Sequence, residues 1–268
     1  MSERAAALLG WYARVRRPLP WRETRDPYAL LVSEVMLQQT QAARVVPYFE
    51  AFLARFPDPQ ALAAAPARDV LAAWSGLGYN RRALALQAAA RAVATDGWPE
   101  DLTTLPGVGP YTAAAVAAFA WDAQRAAIDV NAKRVIERWD GRRHAPRALA
   151  GRAAALLPPG EAATWNQAMM ELGATVCRPR APRCGECPVR AGCATHAAGG
   201  PPPPAPRRRG AERFEDSDRW ARGRVVAALL AGEQPPGELS GERRARVLAG
   251  LVRDGLVVRE PGGAVRLP

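Results

Sequence analysis

All four cysteines of the chain fall within seventeen positions, as Cys177-x6-Cys184-x2-Cys187-x5-Cys193. A quartet this tight folds its segment into a short loop around one object. Two disulfides would also close such a loop, but that device suits small secreted domains, and this chain has 268 residues. Met1–Arg17 carries Glu3, Arg4, Arg14, Arg16 and Arg17 and lacks the long apolar run of a secretory leader. Four thiolates fit a tetrahedral zinc or a cubane iron–sulfur cluster. Zinc sites usually show two close cysteine pairs, and here only Cys184 and Cys187 form one. The 6-2-5 spacing therefore favours iron–sulfur over zinc, and either over disulfides.

The rest of the chain can supply a core, since 49% of it is hydrophobic. Ala and Leu provide much of that content and runs of Val and Ile are short, which points to helices. The best candidate for a membrane span, Thr112–Trp121, is halted by Asp122 and is too short. A net charge of +11 calls for a polyanionic partner, with nucleic acid first through phosphate contacts and counterion release. Lys133 is the only lysine, so a general preference for Arg contributes to that charge. Charge alone does not decide the partner.

From Leu8 to about Val176 the chain reads as short helices punctuated by Gly and Pro. Asp26-Pro27 places an N-cap before a proline at N1 and starts a helix expected to reach Gln39. Val45, Val46, Phe49, Phe52, Leu53 and Phe56 recur at helical spacing up to Pro57. Val70–Trp74 follows Pro66 and stops at Gly76-Leu77-Gly78. Arg81–Thr95 closes at Gly97, and Glu161–Val176 runs into the cysteine loop. Residues 199–211 form a Pro/Arg-rich linker that cannot continue a helix. Beyond it, Trp220–Ala231 and Ser240–Asp254 read as helices, the second capped by Ser240. Two short apolar runs around Pro261-Gly262-Gly263 then read as a hairpin. Two helices and a hairpin over 212–268 suggest a small winged-helix-like module, which would bind DNA or pack against its neighbours.

Leu105-Pro-Gly-Val-Gly-Pro-Tyr111 lies between two helical stretches, where Gly107 and Gly109 can turn backbone N–H groups toward a phosphate. Downstream, Ala127-Ile-Asp-Val-Asn131 puts Asp129 before a new helix, a common setting for an N-cap. Together with the cysteine loop, these features resemble the helix-hairpin-helix DNA glycosylases that carry an iron–sulfur cluster. Leu19-Pro-Trp-Arg22, Ser33-Glu-Val-Met-Leu-Gln-Gln-Thr40, Trp74–Tyr79 and Asn166-Gln-Ala-Met-Met-Glu-Leu-Gly173 narrow the resemblance to MutY-type adenine DNA glycosylases. It covers about Leu8 to Cys193. The segment after the linker is similar to the short C-terminal region of actinobacterial-type members.

The resemblance implies an all-α, two-lobed glycosylase domain over 1–198, with a cleft between the lobes and a [4Fe–4S] cluster on Cys177, Cys184, Cys187 and Cys193. It implies a cytoplasmic, nucleoid-associated monomer whose partner is double-stranded DNA with a mismatched or oxidised base pair. Glu34 would protonate N7 of adenine and help activate water, which requires burial to raise its pKa. Asp129 would stabilise the oxocarbenium-like sugar. Tyr111 stands where strand-cleaving relatives carry a Lys; having no amine, it implies a monofunctional enzyme. Arg17, Trp21, Arg22, Leu37 and Glu171 would form the pocket for the flipped adenine. Gln39, Leu77 and Tyr79 would wedge into the base stack, and Gly107, Gly109 and Asn131 complete the expected DNA-contacting set. Core packing is a competing reading for Trp21 and Leu77.

The chain departs from that pattern in two places. Asn80 follows Tyr79 where many members carry a second Tyr. The segment after the linker is too short for the Nudix-like domain that reads 8-oxoguanine in many members. Two rival functions stand beside the first: a same-fold glycosylase acting on T or U opposite G, and a non-catalytic iron–sulfur protein that binds DNA or senses redox state.

Overall fold

The computed structural model describes residues 1–200, 213–237 and 239–268. Of the linker expected over 199–211, residues 201–211 lie outside the described residues. The described residues form thirteen α-helices, a few short 3₁₀ turns and one two-stranded antiparallel ribbon, an all-α architecture as the sequence implies. They divide into two compact units, each assembled from two separate stretches of chain: Met1–Glu34 with Val108–Arg207, and Val35–Gly107 with Arg208–Pro268.

The first unit contains α1 (Glu3–Val15), most of α2 (Pro27–Leu37), α7 (Pro110–Trp121), α8 (Val130–Trp139), α9 (Pro146–Leu156), α10 (Ala162–Thr175), the cysteine loop and α11 (Ala194–Ala197). Ser2 starts α1 by accepting from the Ala5 N–H. At α2, Asp26 accepts from the N–H groups of Tyr28 and Ala29 while Pro27, which has no N–H to satisfy, takes N1. Both α2 and α7 are covered on nearly every side, so neither shows the one-sided apolar stripe of a surface helix. α10 packs against α1, α7 and α8, and their shared core includes Leu8, Leu30, Ile136, Met169 and Leu172. Each such fully buried side chain contributes roughly 1.5–3 kcal/mol.

The second unit contains α3 (Ala42–Arg55), α4 (Pro59–Ala64), α5 (Ala67–Trp74) and α6 (Arg81–Asp96). To these it adds α12 (Asp218–Leu230), α13 (Gly241–Arg253), β1 (Val258–Arg259) and β2 (Val265–Arg266). Phe52 meets Phe56 and Trp74 edge-on in its core. Buried Gln87 of α6 donates to the carbonyls of Leu62 and Ala65, closing the end of α4 onto α6. The hairpin forms in register Val258 to Arg266 and Arg259 to Val265.

Two local expectations need correction. α2 ends at Leu37 and does not reach Gln39, because Gln39 takes a left-handed φ of 61° that no right-handed helix accommodates. Ser240 occupies the N-cap position of α13 in extended conformation but makes no side-chain capping bond.

Candidate active site

Glu34 projects from α2 into the first unit, with 4% of its surface exposed and no hydrogen-bond partner for Oε2. On its own helix Leu30, Leu31, Val32, Val35 and Met36 are all buried, so Glu34 stands among apolar side chains. Burial raises the carboxyl from an ordinary 4.5 to about 7; the Tyr111 hydroxyl works against this rise and the negative charge of Asp129 adds to it. A carboxyl in that range is about half protonated at neutral pH, which suits a general acid that must also be reloaded.

Tyr111 occupies the first turn of α7, behind Gly109 at the N-cap and Pro110 at N1. Burial, then the charges of Glu34 and Asp129, push its phenol well above its usual value, so it stays protonated as a donor. Gly107 is required by both backbone and space: its φ is 76°, and a Cβ there would lie 2.7 Å from the Cβ of Ala85.

Asp129 caps α8, accepting from the N–H groups of Asn131 and Ala132 at 2.9 and 2.7 Å. Its second oxygen accepts from Asn131 Nδ2 at 2.7 Å. Asp129 is thus an N-cap, as its sequence setting suggests, and is also fixed beside Glu34 and Tyr111. Asn131 is held in turn by Arg134, which donates to Asn131 Oδ1 and to the carbonyls of Gly173 and Cys177. Gly173 must be a glycine here, since a Cβ would stand 2.5 Å from that of Asn131.

Glu171 of α10 is buried but ionised. Burial alone would raise its pKa; hydrogen bonds from Arg17 and Arg22 outweigh that and hold it below the usual range. Arg17 donates through Nε and Nη2 at 2.7 and 3.0 Å, and Arg22 through Nη2 at 2.7 Å. Arg22 also lies over the Tyr12 ring at 5.5 Å. Trp21, in the same 3₁₀ turn as Arg22, is buried.

The remaining expected DNA contacts lie in the second unit. Leu37 is half-buried, Leu77 buried, and Gln39 and Tyr79 exposed. Gln39 and Tyr79 both have left-handed backbone, with φ 61° and 50°. Arg82 braces these turns by donating to the carbonyls of Val35, Gln38 and Gly78. Arg82 and Arg134 carry no recognisable mark in the sequence. Their importance comes from carbonyls more than thirty positions away.

Cys177, Cys184, Cys187 and Cys193 are half-buried free thiols lining one cavity, together with Arg138, Trp139, Val176 and His196. Arg138 donates to Cys177 Sγ at 3.3 Å and to the Arg178 carbonyl at 2.8 Å, while Cys193 Sγ donates to the Arg138 carbonyl. Among the described residues no group of three or more His, Cys, Asp or Glu is arranged to hold a single metal ion. Four thiols standing around a cavity fit a polynuclear group whose metals are bridged by inorganic sulfide and held by terminal thiolates.

The first unit thus sets a buried carboxyl of neutral-range pKa beside a capped, oriented carboxylate, the pair of groups that an acid-assisted bond cleavage needs. The family description "HhH-GPD superfamily base excision DNA repair protein" fits residues 32–159. Adenine DNA glycosylase from Mycobacterium tuberculosis strain H37Rv is 44% identical over 283 residues, covering 97% of this chain and 92% of that protein. The enzyme of the same name from Mycolicibacterium smegmatis is 41% identical over 286 residues, covering 100% and 97%. A thermostable thymine-DNA glycosylase superposes with a TM-score of 0.68 at 31% identity, covering 72% of this chain and 95% of that one. The chain belongs to the adenine DNA glycosylase family of helix-hairpin-helix repair enzymes. It is an enzyme of base excision repair that removes adenine from DNA. No helix among the described residues is long and apolar enough to cross a membrane.

Proposed function

We propose that this enzyme excises adenine paired with 8-oxoguanine or guanine in duplex DNA, by hydrolysis alone and without cutting the strand. The observation that carries the reading is Glu34: a buried carboxyl with a free oxygen, a pKa near 7, and a second carboxylate close enough to raise it. Glu34 donates its proton to adenine N7 as the C1′–N9 bond breaks and its electron pair leaves with the base. Asp129 supplies the negative charge opposite the oxocarbenium-like sugar. Water then adds to C1′ and returns a proton to Glu34, leaving an abasic site. Tyr111 orients the acid as a neutral donor; lacking an amine, it forms no Schiff base with the sugar.

In this reading Arg17, Trp21, Arg22 and Glu171 shape the pocket for the flipped base, and Leu37 is a further DNA contact. Gln39, Leu77 and Tyr79 hold the space it vacates, and Gly107, Gly109 and Asn131 contact the backbone. Cys177, Cys184, Cys187 and Cys193 would hold a [4Fe–4S] cluster, whose chemistry here is to cross-link a basic loop carrying Arg178, Arg180, Arg183 and Arg190. The protein acts as a monomer, with 1–198 as the glycosylase domain and 212–268 as an attached winged-helix-like module.

Single-turnover assays on duplexes with A opposite 8-oxoguanine, A opposite G, T opposite G and U opposite G test the substrate. Excision from the two adenine duplexes, with strand breaks appearing only after alkali, is the expected result. Processing of the pyrimidine mispairs alone would overturn it. Iron and acid-labile sulfide in the purified protein are expected, and a colourless zinc protein would refute the cluster.

A further inference from the structure

Tyr79 and Phe214 are large rings left 41% and 50% exposed, and one guanidinium joins them. Arg219, in the first turn of α12, lies 4.7 Å from the Tyr79 ring centre and 4.8 Å from that of Phe214. Its Nη1 donates to the Tyr79 hydroxyl at 2.7 Å. Both ends of this stack are braced within the second unit. Tyr79 is kept left-handed while Arg82, 5.6 Å from its ring, clasps the carbonyl of Gly78. Arg243 donates to the carbonyls of Glu215, Asp216 and Ser217 and so fixes the turn that carries Phe214. α12 is tied to α5 through Arg68 and the Leu230 carbonyl at 2.7 Å, and Arg81 pairs with Asp254 at 3.8 Å.

Core packing does not account for this arrangement, because both rings stand in solvent and one sits on a strained backbone. Exposed rings interleaved with a guanidinium make a stacking platform for nucleobases, with the positive charge drawn to phosphate. Removing adenine requires taking it out of the duplex, which leaves the base opposite without its partner. We propose that the Phe214–Arg219–Tyr79 stack receives this opposite base, and that Arg219 makes the enzyme select a guanine-type base there. Arg219 spends one N–H on Tyr79; it is exposed, and its other donors are unused among the described residues. Guanine and 8-oxoguanine both present O6 as an acceptor, and a guanidinium is the common reader of that edge. The proposal rests on the excision reading above and assigns the segment after the linker a part in specificity.

The test is single-turnover excision of adenine placed opposite guanine, 8-oxoguanine and cytosine, by wild type, Arg219→Ala, Arg219→Lys and Tyr79→Phe. Arg219→Ala should slow excision opposite the two guanine-type bases more than opposite cytosine, dropping that rate ratio by about tenfold, the usual scale for one lost guanidinium–base contact. Arg219→Lys should fail to restore the ratio, because an ammonium is not planar and cannot stack on the Tyr79 and Phe214 rings while it turns an N–H to the base. Tyr79→Phe should lower it less, because it removes only the hydroxyl that holds one guanidinium N–H. An unchanged ratio in Arg219→Ala, or equal slowing on all three duplexes, overturns the proposal. If Arg219→Ala melts early, Arg219→Lys and Tyr79→Phe decide by the same ratio. A wild type that excises no adenine from any duplex would instead refute the underlying functional reading.

Discussion

Glu34 illustrates how one residue can serve catalysis at the expense of stability. An ordinary Glu loses its proton near 4.5, and Glu34 keeps its proton to about 7. Between those values the folded chain binds a proton that the unfolded chain does not. The stability of the neutral, buried group is therefore complete below about 4.5 and lost as pH rises through about 7, on the order of 3 kcal/mol in all. Glu34→Gln removes the charge that must otherwise be buried at high pH. It should raise the melting temperature at pH 8 and change it little at pH 4.5, while excision falls by about 10²–10⁴-fold. Melts at both pH values and single-turnover rates check this; an E34Q protein that is active, or destabilised at pH 8, would contradict it. Wild-type excision should itself decline above about pH 7, as the acid loses its proton. Asp129 separates structure from chemistry in a different way. Asp129→Asn keeps an oxygen to cap α8 but loses the charge and turns an amide N–H group on Asn131 Nδ2, so excision should fall while the cap survives. Asp129→Ala should lose the cap as well, costing about 1 kcal/mol more in denaturant melts.

At the scale of elements, the site depends on how closely α10 approaches the start of α8. A methyl at position 173 would meet Asn131 at both Cβ and Cα, and the latter is backbone that the Asp129 cap holds in place. Gly173→Ala should destabilise the fold by about 1–3 kcal/mol. It should also slow excision by displacing Asn131 from Asp129, whereas Gly151→Ala, with open space around it, should do neither. Much at this scale was legible in the sequence. Asp26-Pro27, Gly97 and Gly109-Pro110 are local signals, and α2, α6 and α7 begin or end where they fall. The failures were local too: Gln39 and Ser240 look helical or capping by residue type, but tertiary context decides their backbone and partners. Arg82 and Arg134 were invisible because an arginine that collects distant carbonyls looks the same in sequence as one on a solvated helix face.

At the scale of the molecule, the resemblance of several separated motifs to a known family implied the glycosylase fold, but the grouping of distant segments left no periodic trace. Arg68 reaches the Leu230 carbonyl across 162 positions, and Arg219 reaches Tyr79 across 140. Net charge was the other global signal, and its meaning is open to measurement. A charge of +11 on a chain with a single lysine reflects either phosphate binding or a mere preference for Arg. Phosphate contacts release counterions, so six or more of them would weaken binding by about 10³-fold or more between 50 and 200 mM salt. The chemical step answers differently, because Glu34 is buried and salt screens buried charges poorly. Glu34→Gln, which binds without turning over, allows the two to be measured separately. Its Kd for a mismatched duplex, followed by fluorescence anisotropy, should rise steeply across that range. The wild-type single-turnover rate at saturating enzyme should stay nearly constant. A Kd indifferent to salt would mean that the arginines serve the fold, as Arg82, Arg134 and Arg243 visibly do, and that few of them face the phosphates.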